Sequence, residues 1–157
     1  MRTRTMVSTE QSHLLVFLAE DSHDDAFFFD RALRKADVGC SLLRAENGKV
    51  AIEMLKREKA TSGRWPVLIF LDLKMPVTSG FEVLEWLRAS DAHSLRNVIV
   101  LSGSNDHDDM QRALNLGAVE YLVKPISAEI LRERILGQVN LQREARTETR
   151  VETRAGL

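Results

Sequence analysis

Five short apolar runs alternate with stretches of helical period along this chain, and that alternation restricts the fold more than any other feature. The runs are Leu14 to Ala19, Ser41 to Ala45, Val67 to Leu71, Val98 to Leu101 and Val119 to Val123. The spacing predicts helices over His23 to Ala36, Gly48 to Ala60, Phe81 to Ser90, Asn105 to Leu116 and Ala128 to Asn140. A parallel strand pair needs a crossover long enough to hold a helix, so complete strand–helix alternation implies one α/β domain around a parallel sheet. With 157 residues the chain can bury a core without disulfides or structural metals.

Strand polarity orders the sheet. The first, third and fourth runs are continuously apolar, as strands covered on both faces must be, whereas the second carries Ser41 and Arg44 and the fifth Glu120. Placing the second and fifth at the edges gives a doubly wound, five-stranded sheet of order 2-1-3-4-5. In that order a ligand site lies beyond the carboxyl ends of the strands, at the switch between the first and third. Helix ends have their own signals. Ser22 with Asp25, and Ser79 with Glu82, read as capping boxes, and Gly39 and Gly117 as helix-ending glycines.

Composition narrows the function classes. Cys40 is the single cysteine, which excludes an internal disulfide and a cysteine-based zinc site. The formal net charge of -1 gives no electrostatic reason to expect nucleic acid, and no apolar stretch approaches the roughly 20 residues that span a bilayer. Residues 1–12 lack an apolar signal region, so a cytoplasmic location is expected. At the other end Glu144, Glu148 and Glu152 recur at i,i+4, as do Arg146, Arg150 and Arg154, a spacing of like charges that disfavours a helix. Residues 1–12 and 144–157 are therefore predicted to be mobile tails around a domain at 13–143.

The residues that close the strands carry the chemistry. Glu20 and Asp21 end the first run, Asp72 the third, Ser102 the fourth, and Lys124-Pro125 the fifth. A parallel sheet brings all of them to one edge. Singly, each has a plain role as a cap, a turn or a surface charge. Together, three carboxylates in one crevice call for protons or a cation. Hard oxygen ligands without histidine or cysteine suit Mg²⁺. A carboxylate nucleophile beside a cation, a lysine and a hydroxyl is equipped for phosphoryl transfer through an aspartyl-phosphate.

The segment from Asp72 through Met75-Pro76 to Gly80 resembles the phosphoacceptor loop of two-component response-regulator receiver domains of the chemotaxis-regulator type. Glu20-Asp21, Ser102, Gly117-Ala118, Tyr121 and Lys124-Pro125 stand at matching positions, and the resemblance extends over about residues 13–140. It implies a flavodoxin-like receiver fold with Asp72 as phosphoacceptor, and Mg²⁺ held by Asp21, Asp72 and the backbone carbonyl of Lys74, with Glu20 acting through water. It further implies that Lys124 and the Ser102 hydroxyl bind phosphoryl oxygens, that Tyr121 is the aromatic switch residue, and that the Lys124-Pro125 peptide is cis. The implied partners are a sensor histidine kinase, of the kind that bacteriophytochrome-type small receivers accompany, or a phosphotransfer protein, and a second copy of the chain. A stand-alone receiver with no output domain after residue 140 is expected, so that the signal would leave by protein contacts. Lys74, Ser104 and Ile126 depart from the usual family residues.

Two rival readings stay in view. An aspartate-nucleophile phosphatase of the haloacid dehalogenase type expects a second acid two residues after the nucleophile, where this chain has Lys74. A receiver-like module that only binds would not need every one of these side chains. Elsewhere, His13, His23, His93 and His107 lack metal-binding spacing. Asp106, Asp108 and Asp109 complement a helix dipole, and Trp86 with Leu87 fits a core-facing stripe. Of Phe27, Phe28 and Phe29, one must project outward, because helical neighbours are about 100° apart.

Overall fold

All five apolar runs are strands, and all pair in parallel. The computed structural model describes residues 14–90 and 97–156. Its elements are β1 (Leu14–Ala19), α1 (His23–Ala36), β2 (Cys40–Ala45), α2 (Gly48–Ser62), β3 (Leu68–Leu71), α3 (Gly80–Ala89), β4 (Val98–Ser102), α4 (His107–Asn115), β5 (Glu120–Val123) and α5 (Ala128–Ala155). The sheet order is β2-β1-β3-β4-β5, as strand polarity predicted.

Alternate residues of the central strands feed two cores, since successive side chains of a strand point to opposite faces. Phe17, Ile69, Leu71 and Val100 pack under α2, α3 and α4, against Ala51, Leu55, Val83, Leu84, Leu87 and Ala113. Val16, Leu18, Phe70, Ile99 and Leu101 pack under α1 and α5, against Ala26, Phe29, Leu33, Leu131 and Ile135. The edge strands keep their polar residues for defined partners. On β5, Glu120 forms a two-pronged ion pair with Arg134 of α5, at 2.6 and 2.7 Å.

Helix ends follow local chemistry, with two corrections to the sequence reading. Ser79 and Glu82 form the full capping box of α3. At α1, Ser22 accepts from the Asp25 N–H, but the Ser22 N–H goes to Glu20 Oε1 at 3.1 Å, so Asp25 does not close a box there. The left-handed residue that ends α1 is Asp37, at φ 51°, rather than Gly39. Arg132 of α5 caps that end from outside, donating to the carbonyls of Ala36 (2.9 Å) and Asp37 (3.3 Å).

The predicted end of the last helix at Asn140 is also corrected, because α5 runs unbroken to Ala155. Like-charge pairs at i,i+4 cost only about 0.2–0.5 kcal/mol each. Extending a helix already anchored by Leu131 and Ile135 avoids the nucleation cost that limits isolated helices. The threonines of this segment turn their hydroxyls onto it: Thr147, Thr149 and Thr153 each bond the carbonyl four residues back, at 2.9–3.0 Å. The predicted N-terminal tail at 1–12, together with His13 and His93, lies outside the described residues.

The three phenylalanines of α1 part differently from expectation, with two projecting rather than one. Phe29 is buried edge-to-face on Phe70 (ring centroids 5.0 Å apart), while Phe27 is 62% and Phe28 58% exposed. Phe29→Ala is expected to cost about 3–5 kcal/mol through lost burial and a cavity, whereas Phe27→Ala should stay within about 0.5 kcal/mol. Urea denaturation midpoints of the two variants check this contrast.

Candidate functional site

The carboxyl edge of the sheet is fixed by strand hydrogen bonds that run one residue beyond the strands. The Glu20 N–H bonds the Ala45 carbonyl, the Asp72 N–H the Ala19 carbonyl, and the Lys124 N–H the Ser102 carbonyl, at 2.8–3.0 Å. Arg44 of the edge strand donates through Nε and Nη2 to the Glu20 carbonyl, at 3.1 and 3.0 Å. These bonds fix the backbones from which the acidic side chains project, and loop N–H groups of Ser22 and Lys74 then hold Glu20 Oε1 and an Asp72 oxygen.

Glu20, Asp21 and Asp72 offer carboxylate oxygens that all lie within 4.8 Å of one another. Glu20 and Asp72 are buried and Asp21 is exposed. Lys124 reaches into this group from β5's end. Its Nζ lies 2.5 Å from Glu20 Oε2, 3.0 Å from Asp25 Oδ2 and 3.4 Å from Asp72 Oδ2. The other Asp72 oxygen accepts from the Lys74 N–H at 3.2 Å, which brings the Lys74 backbone to the site. Ser102 is buried at the end of the adjacent strand, its hydroxyl accepting from the Ser104 N–H at 3.2 Å. Tyr121 donates to the Ser104 carbonyl at 2.6 Å, linking β5 to the same loop. The Lys124-Pro125 peptide is cis, as expected.

Electrostatics follow from this crowding. Burial pushes the Glu20 carboxyl up to about 7; the Lys124 hydrogen bond opposes this and the Asp72 charge adds to it. Burial alone would pull Lys124 down, but its bonds to Glu20 and Asp25 and the charge of Asp72 outweigh it, so the net shift is upward. Lys124 is therefore an ammonium at neutral pH. The donor set is all oxygen, with two acids drawn into low dielectric, and it fits a hard divalent cation.

The loop after Asp72 is shaped by two glycines. A methyl group on Gly80 would overlap the Asp72 carbonyl oxygen and crowd the Leu73 Cα, and one on Gly48, the first residue of α2, would overlap the Thr78 carbonyl. The loop is thus clamped between two helix starts, with Leu73 and Met75 buried beneath it. Val77 at its tip has φ 68° and is 83% exposed, a left-handed conformation that is costly for a β-branched residue.

Glu20, Asp21, Asp72, Lys74, Ser102 and Lys124 thus lie at one edge, Tyr121 sits within β5 and reaches it only through the Ser104 carbonyl, and Lys124 contacts two of the three predicted acids directly. Two participants were missed. Asp25 was read as half of a capping box, and Arg44 only as a sign of an edge strand. The spacing of Asp25 four residues after Asp21 on a helix start was the available signal for the first; Arg44 had none.

The family model for the response regulator receiver domain matches residues 16–136. The chain belongs to that family. Receiver domains are signalling switches phosphorylated on an aspartate in two-component signalling, they bind Mg²⁺ at an acidic site, and they interact with histidine kinases or phosphotransfer proteins. A probable cyclic di-GMP phosphodiesterase of Vibrio cholerae is 30% identical over 131 residues, 83% of this chain but 27% of that relative. Among solved structures, the bacteriophytochrome response regulator AtBRR is 28% identical with a TM-score of 0.67, covering 80% of this chain and 93% of that one. The phosphorylated cyanobacterial phytochrome response regulator RcpA is 29% identical with a TM-score of 0.65, covering 80% and 90%. Among the described residues, no helix of this receiver is long and apolar enough to cross a membrane.

Gly80→Ala should force the start of α3 away from the Asp72 carbonyl, at a cost of about 1–3 kcal/mol. Gly103→Ala, where an added methyl meets nothing within 4 Å, serves as the control and should leave the denaturation midpoint unchanged.

Proposed function

We propose that this receiver accepts a phosphoryl group on Asp72 from a phosphohistidine and signals by protein contacts. One observation carries the proposal: the Asp72 carboxylate lies within 4.8 Å of two further acids on an edge where it also accepts a hydrogen bond from the Lys124 ammonium. In the transfer, an Asp72 oxygen forms a bond to phosphorus as the phosphorus–nitrogen bond breaks. The electron pair stays on the departing imidazole, which takes up a proton. The product is an acyl phosphate with about two negative charges. Lys124 stabilises those charges on one side and the Ser102 hydroxyl on the other. Glu20, Asp21, Asp72 and the Lys74 carbonyl are the groups that would hold Mg²⁺, whose charge offsets that of the moving phosphoryl group.

The output follows from the chain between Ser102 and β5. Tyr121 is tied to the Ser104 carbonyl, so drawing Ser102 toward a phosphoryl group pulls on the same loop that Tyr121 holds. Leu114, Val119, Val123 and Leu136 leave exposed apolar surface on the face formed by α4, β5 and α5, suited to a protein target. The similarity to two phytochrome response regulators supports a phytochrome-like sensor kinase as phosphodonor, and the cytoplasm, the usual location of receiver domains, is the compartment we propose for the exchange. A second copy of the chain is the other partner we propose. Beyond Asn140 α5 is exposed, with Glu144, Glu148 and Glu152 on one side and Arg146, Arg150 and Arg154 roughly opposite, so that acidic and basic rows of two helices can meet.

Asp72→Asn is expected to abolish labelling by a small phosphodonor, as is excess chelator with the unaltered chain; stoichiometric labelling of the variant would refute the assignment. Light scattering on a size-exclusion column should find a dimer that chains truncated after Asn140 do not form. A monomer at all concentrations would exclude pairing through α5.

A further inference from the structure

Lys124 has three N–H donors and three carboxylates to receive them, and one of the three, Asp25, lies outside the acceptor site. Resting on the phosphoacceptor reading above, we propose that Asp25 is a positioning residue that competes with the phosphorylated acceptor for Lys124 and so sets how readily the switch turns on. Geometry shows the competition. The ammonium sits nearer Glu20 (2.5 Å) and Asp25 (3.0 Å) than Asp72 (3.4 Å), drawn toward the start of α1 and away from the acceptor. With every donor engaged, moving closer to a phosphoryl oxygen must weaken an existing bond.

Exposure decides which bond yields. The Glu20 and Asp72 side chains are 3% and 9% exposed, whereas that of Asp25 is 45% exposed. Water can replace the ammonium at Asp25 but not at Glu20, where an uncompensated buried charge would remain. Asp25 is thus the anchor that lets go. Its backbone is fixed for this role, because its N–H caps onto Ser22 Oγ at 3.2 Å while its carboxylate points across to β5's end. The pull of Asp25 therefore opposes phosphorylation in the resting protein and is surrendered when the phosphoryl group arrives.

The test uses the full chain, Mg²⁺ and beryllofluoride, an anion that mimics the phosphoryl group on an aspartate, with binding read by ¹⁹F NMR. Asp25→Asn is expected to bind beryllofluoride about three- to fivefold more tightly, the size of effect a half-exposed ion pair supports. Asp24→Asn, the same charge change one residue earlier on an exposed side chain, should shift affinity much less. In a Lys124→Ala background, Asp25→Asn should have no effect. Equal gains for Asp24→Asn and Asp25→Asn, or an undiminished gain without Lys124, would reduce the effect to general charge and overturn the proposal. Weaker binding by Asp25→Asn would overturn it too, since Asp25 would then be presenting the lysine to the acceptor. Failure of the unaltered chain to bind would instead remove the phosphoacceptor reading beneath it, and the proposal with it.

Discussion

Three carboxylates share the carboxyl edge of the sheet, and the Lys124 ammonium that bonds two of them keeps Glu20 and Asp72 compatible with a buried position. Without it, two buried acids and an exposed third would repel across less than 5 Å in a poorly solvated crevice. The ammonium offsets this only in part, because burial still leaves Glu20 pushed up to about 7. That residual imbalance makes the edge receptive to a cation. The surrounding structure supports the arrangement at each point: Arg44 holds the Glu20 carbonyl from β2, the β4–β5 ladder extends to the Lys124 N–H, and Gly80 lets α3 start against the Asp72 carbonyl.

Topology explains why this collection of charges arises at all. The order β2-β1-β3-β4-β5 places the ends of β1 and β3 side by side, with β4 and β5 following, so that residues from four strands face one crevice. The two cores on either face of the sheet hold those ends at fixed spacing. A site built on strand termini has little freedom, and the loops that follow the strands keep the freedom to respond.

Much of this was legible in the sequence because its causes are local or periodic. Apolar runs gave the strands, their polar interruptions the edges, and the closing residue of each strand the acidic cluster with Lys124. What escaped depends on partners distant in sequence or on the competition between small terms. Asp25 offered a complete local explanation as a cap, and only the fold reveals a lysine about a hundred residues away as its partner. Arg132 reaching the end of α1, and Asp37 taking the left-handed position ahead of Gly39, are of the same kind. The length of α5 was misjudged because repulsion between like charges was weighed without the anchored helix that precedes it.

A switch needs a resting state that is stable yet close in energy to the active one, and the Lys124 cluster meets both demands. On the phosphoacceptor reading proposed above, Glu20, buried and bonded at 2.5 Å, would be the partner the lysine keeps in either state, so the site would not come apart when the acceptor changes. Asp25 is bonded but wet, so losing it costs little. Asp72 already accepts from the lysine at 3.4 Å, and a phosphoryl group adds charge on that side. The lysine is thus graded among three acids by burial and distance. On the proposed reading, a modest change in charge at one of them would redistribute its bonds without exposing an unpaired charge, and the Ser102–Ser104–Tyr121 hydrogen bonds would give that redistribution a path to the surface formed by α4, β5 and α5.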